Sequence, residues 1–224
     1  QIISVDLDKR KKGSSKVSLP KRCPSCNTDL VKIEGEAILR CTMGLDCPAQ
    51  RIGALIHFVS RNALNIDGLG ERIIELLVDK NLVLNFADLF RLEIKDIVDL
   101  EGFGEKSATN LIRSIQESRE TTLPRFIYSL GIREVGEATA MNLALNFNSI
   151  TNFLSAKEED LLEINDIGPV ASNFIKEFLA LEDNISLVKD LITLGVNPKA
   201  VEIKGDNPFS TKSIVITGSF NGIA

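Results

Sequence analysis

Glycines 70, 104, 136 and 168 lie 34, 32 and 32 residues apart, and each closes the same five-residue pattern. The four copies read Ile66-Asp67-Gly68-Leu69-Gly70, Leu100-Glu101-Gly102-Phe103-Gly104, Ile132-Arg133-Glu134-Val135-Gly136 and Ile164-Asn165-Asp166-Ile167-Gly168. Self-similarity at such a period marks a stack of like supersecondary units. Behind the final glycines run helical stripes: Ala108, Leu111, Ile112 and Ile115 are spaced i, i+3, i+4, i+7, and Ala171, Phe174, Ile175, Phe178 and Leu179 keep the same period. Ahead of the glycines lie shorter apolar stretches, such as Asp88-Leu89-Phe90 through Ile94, Ile97 and Val98, or Asp160-Leu161-Leu162. Each unit therefore reads as helix, tight apolar-and-glycine hairpin, helix. The expectation is a mainly α fold with four helix-hairpin-helix repeats over residues 51–204.

Glycine lets a backbone take positive φ and lets a ligand approach it closely. A hairpin that opens a helix also presents free N–H groups together with the positive end of the helix dipole. Such an element holds a phosphate without reading a base, and two side by side can hold the two strands of a duplex across a groove. The alternative is an all-α bundle whose glycines merely permit sharp turns. The phosphate reading selects Gly68, Leu69, Gly70, Gly102, Phe103, Gly104, Gly136 and Gly168, together with Arg72 and Lys106, which each follow a hairpin glycine by two residues. The third and fourth copies place Glu134 and Asp166 where the first two have Gly68 and Gly102. An acid aimed at a phosphate repels it, so these copies are expected to cap helices or to bind weakly. Charge limits the mode of binding. Residues 1–57 hold ten Lys/Arg against six Asp/Glu, whereas residues 58–204 hold fifteen against twenty-four, a local net of −9. A region so acidic is no broad electrostatic sponge for nucleic acid, and must rely on aimed amides and a few local cations. The early run Lys9-Arg10-Lys11-Lys12, beside Gly13-Ser14-Ser15, reads as a flexible, solvated linker.

The four cysteines of the chain are spaced Cys23-x2-Cys26-x14-Cys41-x5-Cys47. A Cys-x-x-Cys knuckle and two further thiols within so short a span suit one zinc ion better than a disulfide framework. Two disulfides or four unconnected thiols are the alternatives. The segment has little core of its own, since Val31, Ile33, Ile38 and Leu39 cannot offset the entropy of ordering it. A metal bound with roughly 10–16 kcal/mol can. Four thiolates close the coordination shell, which makes the expected zinc structural rather than catalytic; His57 is not needed as a ligand.

Asn65-Ile66-Asp67-Gly68 resembles the Lys-x-Asp-Gly motif in which nucleotidyltransferases carry adenylate on lysine, but an Asn amide is no nucleophile for that chemistry. Neither a P-loop nor a catalytic triad is present, so this chain is expected to do no bond-making chemistry by itself. Its apolar runs, such as residues 214–216, are far shorter than the ~18–20 residues of a membrane span. No leader of basic then apolar residues opens the sequence. Gln1-Ile2-Ile3-Ser4-Val5 reads as the middle of a strand, and residues 213–220 read as a strand and turn with nothing after them to pair. Both ends thus suggest a piece of a longer chain.

Taken together, these residues resemble the C-terminal portion of a bacterial NAD-dependent DNA ligase. The four-cysteine spacing is similar to that family's zinc finger, and so are Cys47-Pro48-Ala49-Gln50, His57-Phe58-Val59-Ser60-Arg61 and the first hairpin. Glu101-Gly102-Phe103-Gly104-Glu105-Lys106-Ser107-Ala108 resembles the second helix-hairpin-helix, and Ser129-Leu130-Gly131-Ile132-Arg133-Glu134-Val135-Gly136-Glu137 the third. The resemblance implies the end of an oligonucleotide-binding barrel and a linker in residues 1–20, a four-cysteine zinc finger in 21–50, the hairpin domain in 51–204, and the start of a BRCT domain in 205–224. It further implies that the parent enzyme adenylates a lysine from NAD, with magnesium. The AMP passes to the 5′ phosphate of a nick, and the ends join with AMP release. NAD, magnesium and the adenylated lysine would lie outside this chain, whose own cofactor would be one zinc. Its partner would be nicked double-stranded DNA, bound as a monomer in the cytosol with no membrane involved, in replication and repair. A non-enzymatic helix-hairpin-helix repair or junction scaffold, or a protein-interaction module, are the other readings of the same repeats.

Overall fold

A computed structural model describes residues 6, 8–11, 13–15, 17–32 and 38–202. The expected barrel residues 1–5 and BRCT residues 205–224, and Ile33 of the finger, lie outside the described residues. The fold is mainly helical, as expected, with only short strands.

Internal contacts divide the chain into two compact units, Gln1–Val59 with Asp67–Arg113, and Ser60–Ile66 with Ser114–Ala224. In the first unit, β1 (Val31–Lys32) pairs antiparallel with β2 (Leu39–Arg40), Val31 opposite Arg40. A single 3-10 turn, Gly44–Asp46, leads through Cys47 into α1 (Pro48–Val59). Then follow α2 (Glu71–Asp79), the short α3 (Phe86–Leu89) and α4 (Ile94–Ile97), and α5 (Glu105–Glu117), whose last residues fall in the second unit.

The core of this unit forms where α1 meets the helices after the first hairpin. Phe58 is fully buried, its ring stacked on Phe86 with centroids 4.4 Å apart and edge-on to Phe90 at 6.4 Å. Leu55, Ile74, Leu77, Leu89 and Ile97 of the same unit are also fully buried. Asn85 caps α3 by accepting from the N–H groups of Ala87 and Asp88, which stops the chain from running α2 and α3 together.

The second unit holds β3 (Glu120–Thr122), α6 (Leu123–Ser129), α7 (Glu137–Phe147), α8 (Ile150–Leu154), α9 (Glu158–Leu162), α10 (Pro169–Ala180), α11 (Glu182–Thr193) and β4 (Asn197–Lys199). Strands β3 and β4 are parallel, Glu120 opposite Asn197. Residues 60–66 join this unit because Arg125 of α6 donates from Nε to the Ala63 carbonyl at 2.8 Å and also to the carbonyl of Arg61. Fully buried Phe126, Ile127, Leu143 and Phe153 form its centre. Among the described residues, no helix is long and apolar enough to cross a membrane.

Because Phe58 is fully buried and packs its ring on Phe86 and Phe90, Phe58→Ala is expected to lower stability by about 3–5 kcal/mol. Urea unfolding followed by circular dichroism measures this.

Candidate metal centre and hairpin cradles

The finger is built around its sulfurs rather than around apolar side chains: Val31 is 45% and Ile38 60% exposed. The knuckle turns at Asn27, whose φ of 59° lets its N–H reach back to the Cys23 carbonyl at 2.9 Å. The Cys23 N–H closes the loop onto the Thr28 carbonyl at 2.8 Å. Cys26 and Cys41 Sγ are 3.4 Å apart, Cys23 and Cys47 Sγ 3.9 Å, and all four lie within 4.8 Å of one another. Tetrahedral zinc with Zn–S bonds of about 2.3 Å needs sulfurs about 3.8 Å apart. The four cysteines therefore fit one structural zinc, with no position left open for a reacting group. The Thr28 hydroxyl, 3.4 Å away, and the Thr28 N–H hold the Cys26 thiol down to about 6. At Cys41 the pull of the Met43 N–H is outweighed by burial and by the sulfurs of Cys26, Cys23 and Cys47, and that thiol is pushed up to about 11. Thiolates so close repel one another, and a divalent cation removes the repulsion.

Helix α1 grows directly out of the metal site. The Arg51 N–H donates to the Cys47 carbonyl at 2.9 Å, Gln50 Nε2 to the Cys41 carbonyl at 2.7 Å, and Arg51 Nε to the Leu45 carbonyl at 2.9 Å. Ser25 Oγ accepts from the Ala49 N–H at 3.2 Å, tying the knuckle to the helix start. The side chains of Gln50 and Arg51 were not among the residues expected to matter, since their partners are carbonyls that no pattern of residue types reveals.

All four hairpins share one geometry. The two apolar positions of each face the core: Ile66, Leu69, Ile132, Val135, Ile164 and Ile167 are buried, while Leu100 and Phe103 are half-buried. Between them lies a turn in which the N–H of Phe103, Val135 or Ile167 bonds the carbonyl three residues back. Its third residue has positive φ in every copy: Gly68 (87°), Gly102 (85°), Glu134 (62°) and Asp166 (65°). This is the position glycine favours in a type II turn. The closing glycines behave differently. Gly70, Gly136 and Gly168 have φ of −78°, −84° and −85°, extended values open to any residue. In front of these three, and of Gly104, an added Cβ would meet nothing within 4 Å. Gly70, Gly136 and Gly168 cap α2, α7 and α10 with no side-chain oxygen, which leaves the first-turn amides for a ligand. In the second hairpin, Ser107 Oγ takes the Gly104 N–H at 2.9 Å.

Hairpins pack reciprocally within each unit. In the first, a Cβ on Gly68 would meet Leu111 of α5 at 3.4 Å, while Arg72 of α2 pairs with Glu101 of the second hairpin at 3.7 Å. In the second, Arg133 of the third hairpin lies over the Phe174 ring of α10 at 4.4 Å. There, Asn142 of α7 also donates to the Asn165 carbonyl at 3.0 Å and to Asp166 Oδ2 at 3.5 Å. Of the expected contact residues, Gly68, Gly70, Arg72, Gly102, Gly104, Lys106, Gly136 and Gly168 are exposed and Phe103 half-exposed. Leu69, only 5% exposed, belongs to the core, so any part it takes in binding is through its main chain. Glu134 and Asp166 occupy the left-handed turn position, and the closing glycines of the same two copies, Gly136 and Gly168, are the N-caps of α7 and α10.

Three segments of the chain are similar to known families. Residues 22–49 match the NAD-dependent DNA ligase C4 zinc finger domain, 60–117 a SAM-like helix-hairpin-helix tandem, and 125–188 a helix-hairpin-helix motif. The chain is 42% identical over 225 residues to a DNA ligase of Saccharophagus degradans, covering 100% of this chain and 33% of that protein. It is 46% identical over 220 residues to a DNA ligase of Hahella chejuensis, covering 97% of this chain and 32% of that protein. The chain thus spans about a third of the length of the curated relatives it matches.

The protein is expected to hold one zinc per chain by metal analysis, and Cys26→Ser to lose the metal together with the order of the finger, seen as collapse of its amide protection in hydrogen exchange. The two glycine roles separate in denaturation experiments. Gly68→Ala is expected to lose about 1–2 kcal/mol, whereas Gly70→Ala should stay within about 0.5 kcal/mol of the parent.

Proposed function

We propose that this chain, which carries the C4 zinc finger of NAD-dependent DNA ligases followed by their helix-hairpin-helix repeats, is the part of such a ligase that grips duplex DNA around a nick. The hairpins lie along the minor-groove backbone, and the exposed closing glycines let phosphate oxygens come up to the first-turn amides of α2, α7 and α10 and to the main chain at the start of α5. Since main-chain N–H groups meet phosphate and sugar, binding carries no sequence preference. The reading is supported above all by the exposed closing glycine of each hairpin, in front of which an added Cβ would meet nothing within 4 Å.

The chemistry of sealing belongs to residues outside this sequence, which contains no Lys-x-Asp-Gly. In the whole enzyme a lysine takes AMP from NAD and passes it to the 5′ phosphate, and the 3′ hydroxyl then displaces AMP. This chain contributes by orienting the duplex, because reacting groups held in register need not be brought together by diffusion. The shared helix α1, fixed to the sulfurs at one end and to Phe86 and Phe90 at the other, transmits the position of the finger to the first pair of hairpins. The protein acts as a monomer on nicked DNA in the bacterial cytosol and nucleoid, in replication and repair.

Purified protein is expected to bind unrelated duplex sequences equally in fluorescence anisotropy and to release no AMP from NAD. Gly70→Val and Gly104→Val should weaken binding while leaving the folded state intact, because the new side chains point into open space. The slope of log K against log salt should stay shallower than that of roughly eight phosphate–cation contacts. Unaltered affinity in both folded variants would remove the hairpins from the DNA interface.

A further inference from the structure

The second position of each hairpin helix is Arg72 in the first hairpin and Lys106 in the second. Each is the cation nearest its cradle in sequence, yet the two are not in the same state. Arg72 pairs with Glu101, the second residue of the neighbouring turn, with Nη2 3.7 Å from Oε1 and side chains 79% and 87% exposed. Lys106, by contrast, makes no ion pair among the described residues. Glu101, three residues before the closing glycine Gly104, thus carries a negative charge where the proposed function brings phosphates, and it holds the guanidinium of Arg72, two residues after Gly70.

We infer that Glu101 is a built-in competitor for DNA phosphate at Arg72. In the free protein the guanidinium is shared with the carboxylate; when a phosphate arrives, Arg72 exchanges one anion for the other, and on release it returns. Arginine suits the exchange, because its planar fork accepts carboxylate and phosphate oxygens with the same geometry. An exposed pair of this kind is weak, so it tempers affinity without abolishing it. For a clamp that must let go of a sealed product, such tempering favours release. Lys106, free of an internal partner, supplies a contact that is not taxed in this way.

The inference rests on the proposed function, and its test is arranged so that the two fail differently. Affinity for a short fluorescent duplex with one nick is measured across a salt series for the parent protein, Glu101→Gln, Arg72→Gln and the double variant. All the altered side chains are exposed, so each protein should fold like the parent. Glu101→Gln should bind about two- to fivefold tighter at low salt, the range that an exposed ion pair commands. Its salt slope should steepen by up to about one contact. In the Arg72→Gln background the same change should bring little gain. Equal gains in both backgrounds would make Glu101 a general repulsive charge, and weaker binding by Glu101→Gln would make it a positioning residue for Arg72; either overturns the inference while the duplex-gripping reading stands. Absence of duplex binding by the parent protein overturns both.

Discussion

A helix that begins at a residue without a side chain has nothing of its own to give the amides of its first turn. Three of the four hairpin helices here begin that way, at Gly70, Gly136 and Gly168, each extended and each facing open space. An ordinary Ser, Asp or Asn cap would stabilise the isolated helix better. The chain forgoes that stabilisation at its most regular feature, and the forgone hydrogen bonds are the ones an oxyanion can make. Everything else in the hairpin serves to hold that bare end outward. Two apolar residues pin the turn to the core, and a positive-φ residue between them closes it.

The finger meets the opposite difficulty. With Val31 and Ile38 largely exposed, it buries too little to order itself, and the cluster of Cys23, Cys26, Cys41 and Cys47 takes the place of a core. What gives the metal site reach beyond the finger is α1. Its first turn is hydrogen-bonded to the backbone around Cys41, Leu45 and Cys47, and its last turn carries Phe58 and Val59 into the apolar centre of the first unit. A small metal site and a conventional core are thereby joined through one helix of twelve residues. Losing the metal would unseat the start of a helix whose far end is core.

The hairpins and the zinc ligands were legible in the sequence because each is a local pattern. Five residues set a turn, and four cysteines at fixed spacing set a ligand cluster. The division of labour between the two glycines of each hairpin was not. Residue type reveals that a position can tolerate positive φ, but only the backbone reveals that Gly68 and Gly102 use this freedom while Gly70 does not. The split into two compact units was also hidden, since Arg125 fixes residues 61–63 through their carbonyl groups, which every residue possesses. Leu69 read as a contact residue because it sits between two glycines; its burial follows from its twin, Ile66, on the same inner side of the turn.

The four hairpins differ at the positions that face outward and agree at those that face inward, and this separates two constraints that one repeat would leave fused. The inward positions are apolar in all four. Outward, the first two turns carry Gly68 and Gly102, and the last two carry Glu134 and Asp166 at the same left-handed φ. A side chain there is strained by roughly 1 kcal/mol relative to glycine, so the second pair keeps its geometry against local preference. Its surroundings supply the compensation: Asn142 donates to Asn165 and Asp166, and Arg133, beside Glu134, stacks on Phe174. Among the described residues the first pair has no such cross-ties at its turn glycines, and of its outward cations one is shared with Glu101 and one makes no ion pair. Similar turns thus carry two different surfaces. A duplex held by either pair would meet amides, but exposed cations at the second helix position only at the first pair.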